Sequence, residues 1–244
     1  MRLPDLTQLS LASRPLDVAQ EWREACGTRP DWQPWDDLDG ADKQALLHTL
    51  AEDCSDPSDP ETAYVTVYDG VGIERVLARR QWSVEHVVPQ LHVNGREPGD
   101  AENDPLGWVE ATRTANSRRS NLPLVLWPGL YVRERVAIDG VPHFVPPEEQ
   151  RARLARKWAF VRASYPDEVA PPSEAQRKYA AKICANMKHT QPFESERCVN
   201  QRFRDEYGYG NPLLERDATT WLGSPAFRAL VFASARNLRL VPHV

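Results

Sequence analysis

The chain has 244 residues, of which 41% are hydrophobic, enough for one large domain or two small ones with a buried core. No run of 18 apolar residues predicts a membrane span, and no charged start with an apolar stretch predicts a secretion signal, so we expect a cytoplasmic protein without a membrane partner, with secretion or the periplasm as the alternative. The four cysteines lack CxxC spacing, which argues against a zinc site.

The net charge of −5 opposes nucleic-acid binding until its distribution is considered. Residues 1–110 hold 9 Lys and Arg against 22 Asp and Glu, whereas residues 111–162 hold 10 against 4. Because charges more than about 10 Å apart are largely screened at ordinary salt, a local basic surface can bind phosphates on an acidic protein. The distribution therefore predicts salt-sensitive binding around residues 111–162.

Two helices are predicted in the first quarter of the chain. The first covers about Leu16–Cys26 and ends at Gly27, and the second covers Ala41–Asp53, where leucines recur at helical spacing. The other segments here are a loop at 32–40, a proline- and aspartate-rich linker at 55–61 and, at 63–68, either a strand or the start of a buried helix.

The clearest predicted strand is Ser83–Val88, in which β-branched valines dominate. The segment Leu106–Thr112 fits a second short strand or a turn, and Asn116–Asn121 opens a helix or a tight turn. The remaining expectations for this part are a polar loop at 90–105, an apolar strand-like stretch at 122–136 and a hairpin turn at Asp139-Gly140.

Helices dominate the C-terminal half. Pro146 and Pro147, followed by two glutamates, predict a helix start, and the helix should run to about Tyr165. Its apolar residues form one stripe, so its basic residues, Arg156 and Lys157 among them, are expected on a solvated face that could follow DNA. Further helices are expected at 174–188 with Ser173 as the cap, at 194–207, and from 218 onward.

These elements predict an α+β fold, mostly helical. Residues 41–216 form the expected main domain, residues 1–40 an N-terminal extension, and residues 217–244 a helical tail packed on the same domain. We expect the cysteines to be buried thiols, with Cys184 and Cys198 as the pair if the protein meets oxidising conditions, because they flank one short connection.

The residues with the clearest chemistry are Glu85 and His86, followed about thirty positions later by Asn116. A neutral imidazole is a suitable general base near pH 7. Mg²⁺ keeps several waters and needs few protein oxygens, which Glu85 and Asn116 can supply. Arginines bind phosphate oxygens and stabilise their charge, and the candidates are Arg113, Arg118 and Arg119.

One geometric condition applies to this set. Glu85 and His86 are neighbours on the predicted strand, so their side chains point to opposite faces. Both can serve one site only if the strand ends or twists there, and Pro89 favours an early end.

The same residues resemble a known family. Val84-Glu85-His86-Val87-Val88-Pro89, followed by Asn116-Ser117-Arg118-Arg119-Ser120-Asn121, is similar to the endonuclease I family of His-Me finger (ββα-metal) nucleases. Three further stretches resemble later elements of that family in the same order: 144–147 with 154–156, 191–197, and 208–213. The resemblance covers roughly residues 41–215. It departs at Asp104-Pro105-Leu106-Gly107-Trp108, where the family usually has Asp-Leu-His-Asn-Leu.

The resemblance implies a ββα-metal core and an activity. In that family the residues matching His86 act as general base, and those matching Glu85 and Asn116 hold one Mg²⁺, for which Mn²⁺ or Ca²⁺ is an alternative. Its members cut DNA, and often RNA, with little sequence preference and leave 5′ phosphates. The residues expected to contact nucleic acid are Arg118, Arg119, Asn121, Arg156 and Lys157, although we favour a helix cap for Asn121.

Two other functions stay open at this point. The first is a nuclease-like module that has lost activity and binds nucleic acid or a protein. The second is a sequence-specific or partner-regulated defence or effector nuclease, controlled by an inhibitor or another regulatory partner through residues 1–40 or 218–244. We expect a monomer in either case. The remaining histidines are predicted to be structural or surface groups, His143 among the former and His92 among the latter.

Overall fold

The computed structural model of the chain describes residues 15–29, 40–54, 66–69, 82–89, 100–132, 134–215 and 218–232. The first part holds the helices α1 (Pro15–Cys26) and α2 (Gly40–Asp53), the strand β1 (Trp82–His86), the short helix α3 (Asp100–Asn103), a 3-10 turn at Pro105–Gly107, the strand β2 (Trp108–Thr112) and the helix α4 (Arg113–Arg119). The expected linker at 55–61, the loop residues 90–99 with His92, the segment 32–39 and the tail beyond Phe232 lie outside the described residues.

The second part begins with the hairpin of β3 (Glu134–Ile138) and β4 (Val141–Val145). The helices that follow are α5 (Glu148–Ser164), α6 (Glu174–Lys178), α7 (Ala180–His189), α8 (Glu194–Tyr207), α9 (Ala218–Gly223) and α10 (Pro225–Phe232), with a 3-10 turn at Pro212–Leu214 between α8 and α9. The mixed α and β content agrees with the expected α+β class. No helix among the described residues is long and apolar enough to cross a membrane.

The N-terminal helix packs against the end of the chain. Trp22 of α1 is fully buried, and its ring lies 4.9 Å from that of Phe227 in α10 and 5.2 Å from that of Trp221 in α9. Gly27 ends α1, as predicted, at a φ of +89°. A side chain could not be placed there, because a Cβ would lie 1.9 Å from the carbonyl oxygen of Gly208.

The strands form two small antiparallel sheets of two strands each. In the first sheet β1 pairs with β2, so that Glu85 lies opposite Val109 and His86 opposite Trp108. Of the two forms expected for 106–112, a short strand or a turn, Trp108–Thr112 form the strand, and a 3-10 turn that ends at Gly107 precedes it. In the second sheet β3 and β4 form the predicted hairpin around Asp139 and Gly140.

Two expectations for the middle of the chain differ from the structure. Among the described residues of the stretch 122–136, only 134–136 lie in a strand, β3, and Leu124 forms an isolated bridge with Phe144. Its side chains at 124–127 are buried, so a continuous apolar run marks burial here rather than strand pairing. Residues 100–105, expected as part of a loop, contain α3 and the start of a 3-10 turn that Asp104 caps by accepting a hydrogen bond from the Leu106 amide.

The central helix α5 has the predicted bounds but not the predicted surface. Every residue from Gln150 to Ala163 is buried, including its basic residues. Arg153 pairs with Glu110 of β2 at 3.1 Å, and Arg156 pairs with Glu196 of α8 at 2.8 Å. The expected solvated basic face is therefore wrong, because partners from distant elements allow these cations to be buried.

The later helices largely confirm the prediction. Ser173 caps α6 in a capping box with Gln176, and the expected helix at 174–188 is divided at Tyr179 into α6 and α7. Helix α8 has the predicted bounds, and α9 and α10 form the helical tail as far as it is described.

A disulfide joins Cys54, after α2, to Cys198 in α8, across 144 positions of sequence. Cys26 and Cys184 are buried free thiols. The expected pairing of Cys184 with Cys198 is therefore wrong, because chain proximity does not decide which sulfur atoms meet in space.

Removing this disulfide should destabilise the protein. Because the closed loop is long, Cys54→Ser should cost about 2–5 kcal/mol and lower the Tm by on the order of 10 °C. Thermal unfolding with and without reductant checks this. The reductant should lower the Tm of the wild type to that of the variant and leave the variant unchanged. Equal Tm values for wild type and variant without reductant would contradict it.

Breaking the buried ion pair between α5 and α8 should also be costly. Both Arg156 and Glu196 are 1% exposed, so Glu196→Gln leaves a buried guanidinium without its counter-charge and should cost about 3–5 kcal/mol. The matched control is Glu134→Gln, which breaks the ion pair of Glu134 with Arg118. These two side chains are 54% and 53% exposed, so losing their pair should cost less than about 1 kcal/mol. Urea unfolding at pH 7 measures both, and similar costs for the two variants would contradict the expectation.

Candidate functional site

The candidate site is built where β1 ends and α4 begins. β2 runs directly into α4, and the Thr112 side chain caps the helix by accepting a hydrogen bond from the Ala115 amide. This brings the first turns of α4 beside β1, where Asn116 Nδ2 donates to Ser83 Oγ at 3.0 Å. Residues some thirty positions apart in sequence therefore meet across one small β1–β2–α4 unit.

Glu85 lies at the centre of this unit and is 6% exposed. Its Oε1 accepts a hydrogen bond from the Tyr68 hydroxyl at 3.3 Å and forms an ion pair with the Arg119 guanidinium. Burial raises the pKa of Glu85 to about 7, against the opposing effects of Arg119, Tyr68 and the nearby Asn116 amide. The carboxyl group therefore titrates close to neutral pH, since desolvation outweighs the neighbouring cation.

Arg119 connects the strand end to the helix. Besides its pairing with Glu85, its guanidinium donates to the main-chain carbonyls of His86 at 3.2 Å and Val87 at 3.0 Å. The side chain is 2% exposed, so in this structure it holds the site together rather than facing solvent. It was expected to contact substrate, and its burial favours a positioning role instead.

His86 lies on the other side of β1 from Glu85. Its ring packs edge-on against Trp108, its partner across the strand pair, with the ring centres 6.1 Å apart. Burial lowers the pKa of His86 to about 4, and the charges of Lys43 and Arg119 act in the same direction. The imidazole is therefore neutral at pH 7.

The structure does not bring the His86 ring to the other candidate groups. Among the described residues, no hydrogen bond or ring contact joins it to Glu85 or Asn116, and its buried Nε2 has no hydrogen-bond partner. As required by the geometric condition on neighbouring strand residues, β1 ends at His86. A ligand lying across that strand end could reach both faces.

The other predicted residues fall into two groups. Arg113 and Arg118 are exposed on α4, and Arg118 pairs with Glu134. Asn121 is exposed in the turn after α4 and caps no helix, because the next regular element in the described chain is β3, so the cap favoured for it is wrong.

Arg156 and Lys157 are inside the protein. Arg156 donates to Glu196 and to the Thr190 carbonyl, and Lys157 Nζ donates to the Leu106 carbonyl at 3.0 Å. They are 1% and 8% exposed, so neither offers its charge to a nucleic acid in this structure. The contacts expected of these two residues are accordingly not available.

Asp104 begins the segment 104–108, where the sequence departs from the endonuclease I pattern, and its carboxyl group has contacts inside the protein. Its Oδ2 accepts hydrogen bonds from the hydroxyls of Tyr165 at 2.7 Å and Tyr209 at 3.1 Å, and its Oδ1 accepts the Leu106 amide. Burial raises the pKa of this carboxyl group, against the opposing effect of these hydrogen bonds. Asp104 thus ties the turn before β2 to α5 and to the segment after α8, away from Glu85.

Two residues of the site were missed by sequence reasoning. Ser83 stands two positions before Glu85, so strand periodicity places both on one face, and this signal could have identified it. Tyr68 lies in the segment whose structure the sequence left open, 17 positions before Glu85, and no spacing rule connects the two.

The donor set suits a hard cation that keeps most of its waters. The described residues contain no group of three or more His, Cys, Asp or Glu side chains arranged to hold a metal ion. Glu85 and the neighbouring Asn116 offer two hard oxygen donors within the unit, which fits Mg²⁺ better than a metal that needs a full protein cage. Tyr68 and Arg119 both contact Oε1 of Glu85, so Oε2 carries neither contact.

No protein-family model, curated protein or solved structure matches the chain.

The His86 pKa predicts an acid-dependent loss of stability. Because burial lowers this pKa from 6.5 to about 4, the unfolded chain binds the proton more readily, and stability falls as pH falls from about 6.5 through 4. The contribution is on the order of 2–3 kcal/mol, fully present above pH 6.5. The raised pKa of Glu85 acts oppositely, contributing stability below about pH 4.5 that is lost as pH rises through 7.

Comparing the wild type with His86→Gln isolates the first effect, because Glu85 is present in both proteins. Urea unfolding at pH 4, 5, 6 and 7 should show a wild-type advantage at pH 7 that shrinks by the stated amount at pH 4. A difference between the two proteins that stays constant with pH would contradict the assignment.

Proposed function

We propose that this protein is a divalent-metal-dependent endonuclease of the His-Me finger type, which hydrolyses phosphodiester bonds in DNA and, as a second substrate, RNA. The single observation that carries the proposal is the β1–β2–α4 unit, in which Glu85 and Asn116 lie side by side although 31 positions separate them. The pairing of β1 with β2 and the helix α4 directly after β2 support the ββα core that the sequence motifs imply, although α3 and a 3-10 turn lie between the two strands.

In this proposal Glu85 and Asn116 hold the cation. Both are oxygen donors, and Oε2 of Glu85 is the carboxylate oxygen without a contact to Tyr68 or Arg119. A bound Mg²⁺ supplies Lewis-acid stabilisation of the phosphate and of the leaving oxygen. Arg119 keeps the carboxylate in position through its ion pair, and it also competes with the cation for the same negative charge.

His86 is the proposed general base. Its low pKa keeps the imidazole neutral at pH 7, so that the ring can accept a proton from water. Its buried Nε2, without a hydrogen-bond partner among the described residues, is a nitrogen that a water or substrate could engage. The proposal requires the scissile phosphate to lie across the end of β1, because the His86 ring and the Glu85 carboxylate flank that end.

Fewer residues are proposed to contact the phosphate backbone than the sequence suggested. Arg113 and Arg118 are exposed on α4, next to Asn116, and a charged side chain there can bind a backbone phosphate of either nucleic acid. Backbone contacts carry no base information, so cleavage with little sequence preference and with 5′-phosphate products is part of the proposal.

A binding module without catalysis is the second candidate. The observation that favours it is the buried ion pair of Glu85 with Arg119, which already compensates the carboxylate without a metal ion. Asp104, in the altered family segment, serves packing through Tyr165 and Tyr209. In that case α4 would hold nucleic acid or a protein partner without cleaving it.

Plasmid cleavage separates the two candidates. The wild type with Mg²⁺ should nick and linearise supercoiled plasmid, and EDTA should stop it. His86→Ala should reduce the rate by about 10²–10⁴-fold with DNA binding retained, because it removes the proton acceptor. The matched control is His189→Ala, an exposed histidine at the end of α7, which should cut at the wild-type rate.

Other outcomes have clear meanings. Binding without cleavage by the wild type favours the module, and equal cleavage by His86→Ala removes this residue from the mechanism. Defined fragments rather than a smear indicate sequence specificity. Asn116→Ala should raise the Mg²⁺ concentration needed for half-maximal cleavage, since it removes one of the two protein oxygens.

A further inference from the structure

A cavity of about 200 Å³ lies beside Arg119, next to the segment that follows β1. Its walls come from elements far apart in sequence: 87–89 after β1, Arg119 and the segment after α4, Trp158 and Arg162 of α5, and 170–173 before α6. The cavity is smaller than the sites that hold drug-sized ligands and larger than the space of one water. It therefore suits a single small group.

Two buried guanidinium groups line this cavity. That of Arg119 is paired with Glu85, whereas the described partners of Arg162 are the carbonyls of Val231 at 2.8 Å and Ala170, and the Trp158 ring at 5.8 Å. Carbonyls and a ring face do not carry the negative charge that would neutralise a cation. The cavity wall thus holds one positive charge more than the described residues compensate.

Burial lowers the pKa of Arg162 to about 10, and the positive charge of Arg177 acts in the same direction. A buried cation without a counter-ion is costly, because neither water nor an opposite charge replaces its hydration. Among the described residues that line the cavity, none is acidic. An anion inside the cavity would supply the negative charge that none of the described lining residues provides.

Each of the two guanidinium groups also has an unused donor. Arg119 Nε and Arg162 Nη2 are buried and have no hydrogen-bond partner among the described residues. The two side chains are only 2% and 1% exposed. Both side chains line the cavity, and guanidinium groups are charge-assisted donors, the kind that binds oxyanions most strongly.

The remaining wall favours a small and highly charged ligand. Apolar side chains, among them Val87, Pro89, Trp158 and Pro171, surround the two arginines. They weaken the competition from water and strengthen the electrostatic attraction inside the cavity. Because two arginines line the cavity, a ligand that carries several oxygens on one atom could contact both of them at once.

We propose that this cavity binds one phosphate group beside the guanidinium groups of Arg119 and Arg162. The phosphate has two sources of the same chemistry, free inorganic phosphate and the terminal phosphate of a nucleic-acid strand. The inference concerns binding alone, so it stands whether or not the neighbouring Glu85 site hydrolyses phosphodiesters.

Thermal unfolding in low-salt buffer at pH 7.5 tests binding without any cleavage readout. Sodium phosphate should raise the Tm by on the order of 5 °C at one hundred times its Kd, relative to sodium chloride at the same ionic strength. Equal shifts with phosphate and chloride would overturn the proposal, since they would report ionic strength only.

A matched pair of variants at Ala170, a partly exposed residue of the cavity wall, localises the effect. Ala170→Glu places a carboxylate beside the two arginines, so it should raise the Tm without phosphate and abolish the phosphate shift. Ala170→Gln fills the same space without the charge, and it should block phosphate without the gain in Tm. A full phosphate shift in both variants would place the anion elsewhere and overturn the proposal.

The source is resolved by a third arm. A short single-stranded oligonucleotide with a 5′ phosphate is compared with the same strand lacking it, in EDTA, as a competitor of inorganic phosphate. Competition by the phosphorylated strand alone identifies a strand end as the ligand. If neither strand competes, free phosphate is the ligand. If neither inorganic phosphate nor the phosphorylated strand raises the Tm, the proposed site is rejected.

Discussion

The guanidinium of Arg119 joins the end of β1 to α4, and the arrangement of the candidate site depends on it. It compensates Glu85 inside the protein and donates to the carbonyls of His86 and Val87 just where strand pairing stops. Without this cation a buried carboxylate would lose its counter-charge and two carbonyls would lose donors. Asn116 stands three residues earlier on α4, on the same helix face, so the contact that fixes Arg119 also directs Asn116 towards Glu85.

Matched burial, the burial of a cation together with a carboxylate that compensates its charge, also orients the helix at the centre of the protein. Helix α5 sends Arg153 to Glu110 in β2 and Arg156 to Glu196 in α8, so two elements are oriented by charge pairs inside the core. Such pairs add little net stability over apolar packing, yet they penalise any arrangement that separates them. Arg162 differs from the other two, since a carboxylate is not among its described partners.

Matched burial also changes the electrostatic argument for nucleic-acid binding. Much of the positive charge of residues 111–162 is buried inside the protein, and part of it is paired with carboxylates, so the surface is less basic than the composition suggests. Exposed positive charge near Asn116 comes from Arg113, from Arg118, which pairs with Glu134, and from Arg135, which donates to the Arg118 carbonyl. For the nucleic-acid binding proposed above, the exposed positive charge therefore favours α4 over α5.

The local elements could be predicted from the sequence alone: α1 with its glycine end, the extent of α5 and α8, the β3–β4 hairpin and the cap of α6. These depend on residues within a few positions of one another, and periodicity, caps and turn residues report such interactions directly. The sequence also indicated Glu85 and Asn116 as one set, and strand alternation correctly separated the directions of Glu85 and His86.

The folded arrangement was needed to show which sulfur atoms pair, which arginines are buried and what surrounds Glu85. Cys54 meets Cys198 across 144 positions, and Arg119, Tyr68 and Glu85 come from three separate segments. An arginine on a helix has the same local pattern whether water or a distant glutamate neutralises it. The difference lies in partners far along the chain, and local sequence patterns carry no information about which of them arrives.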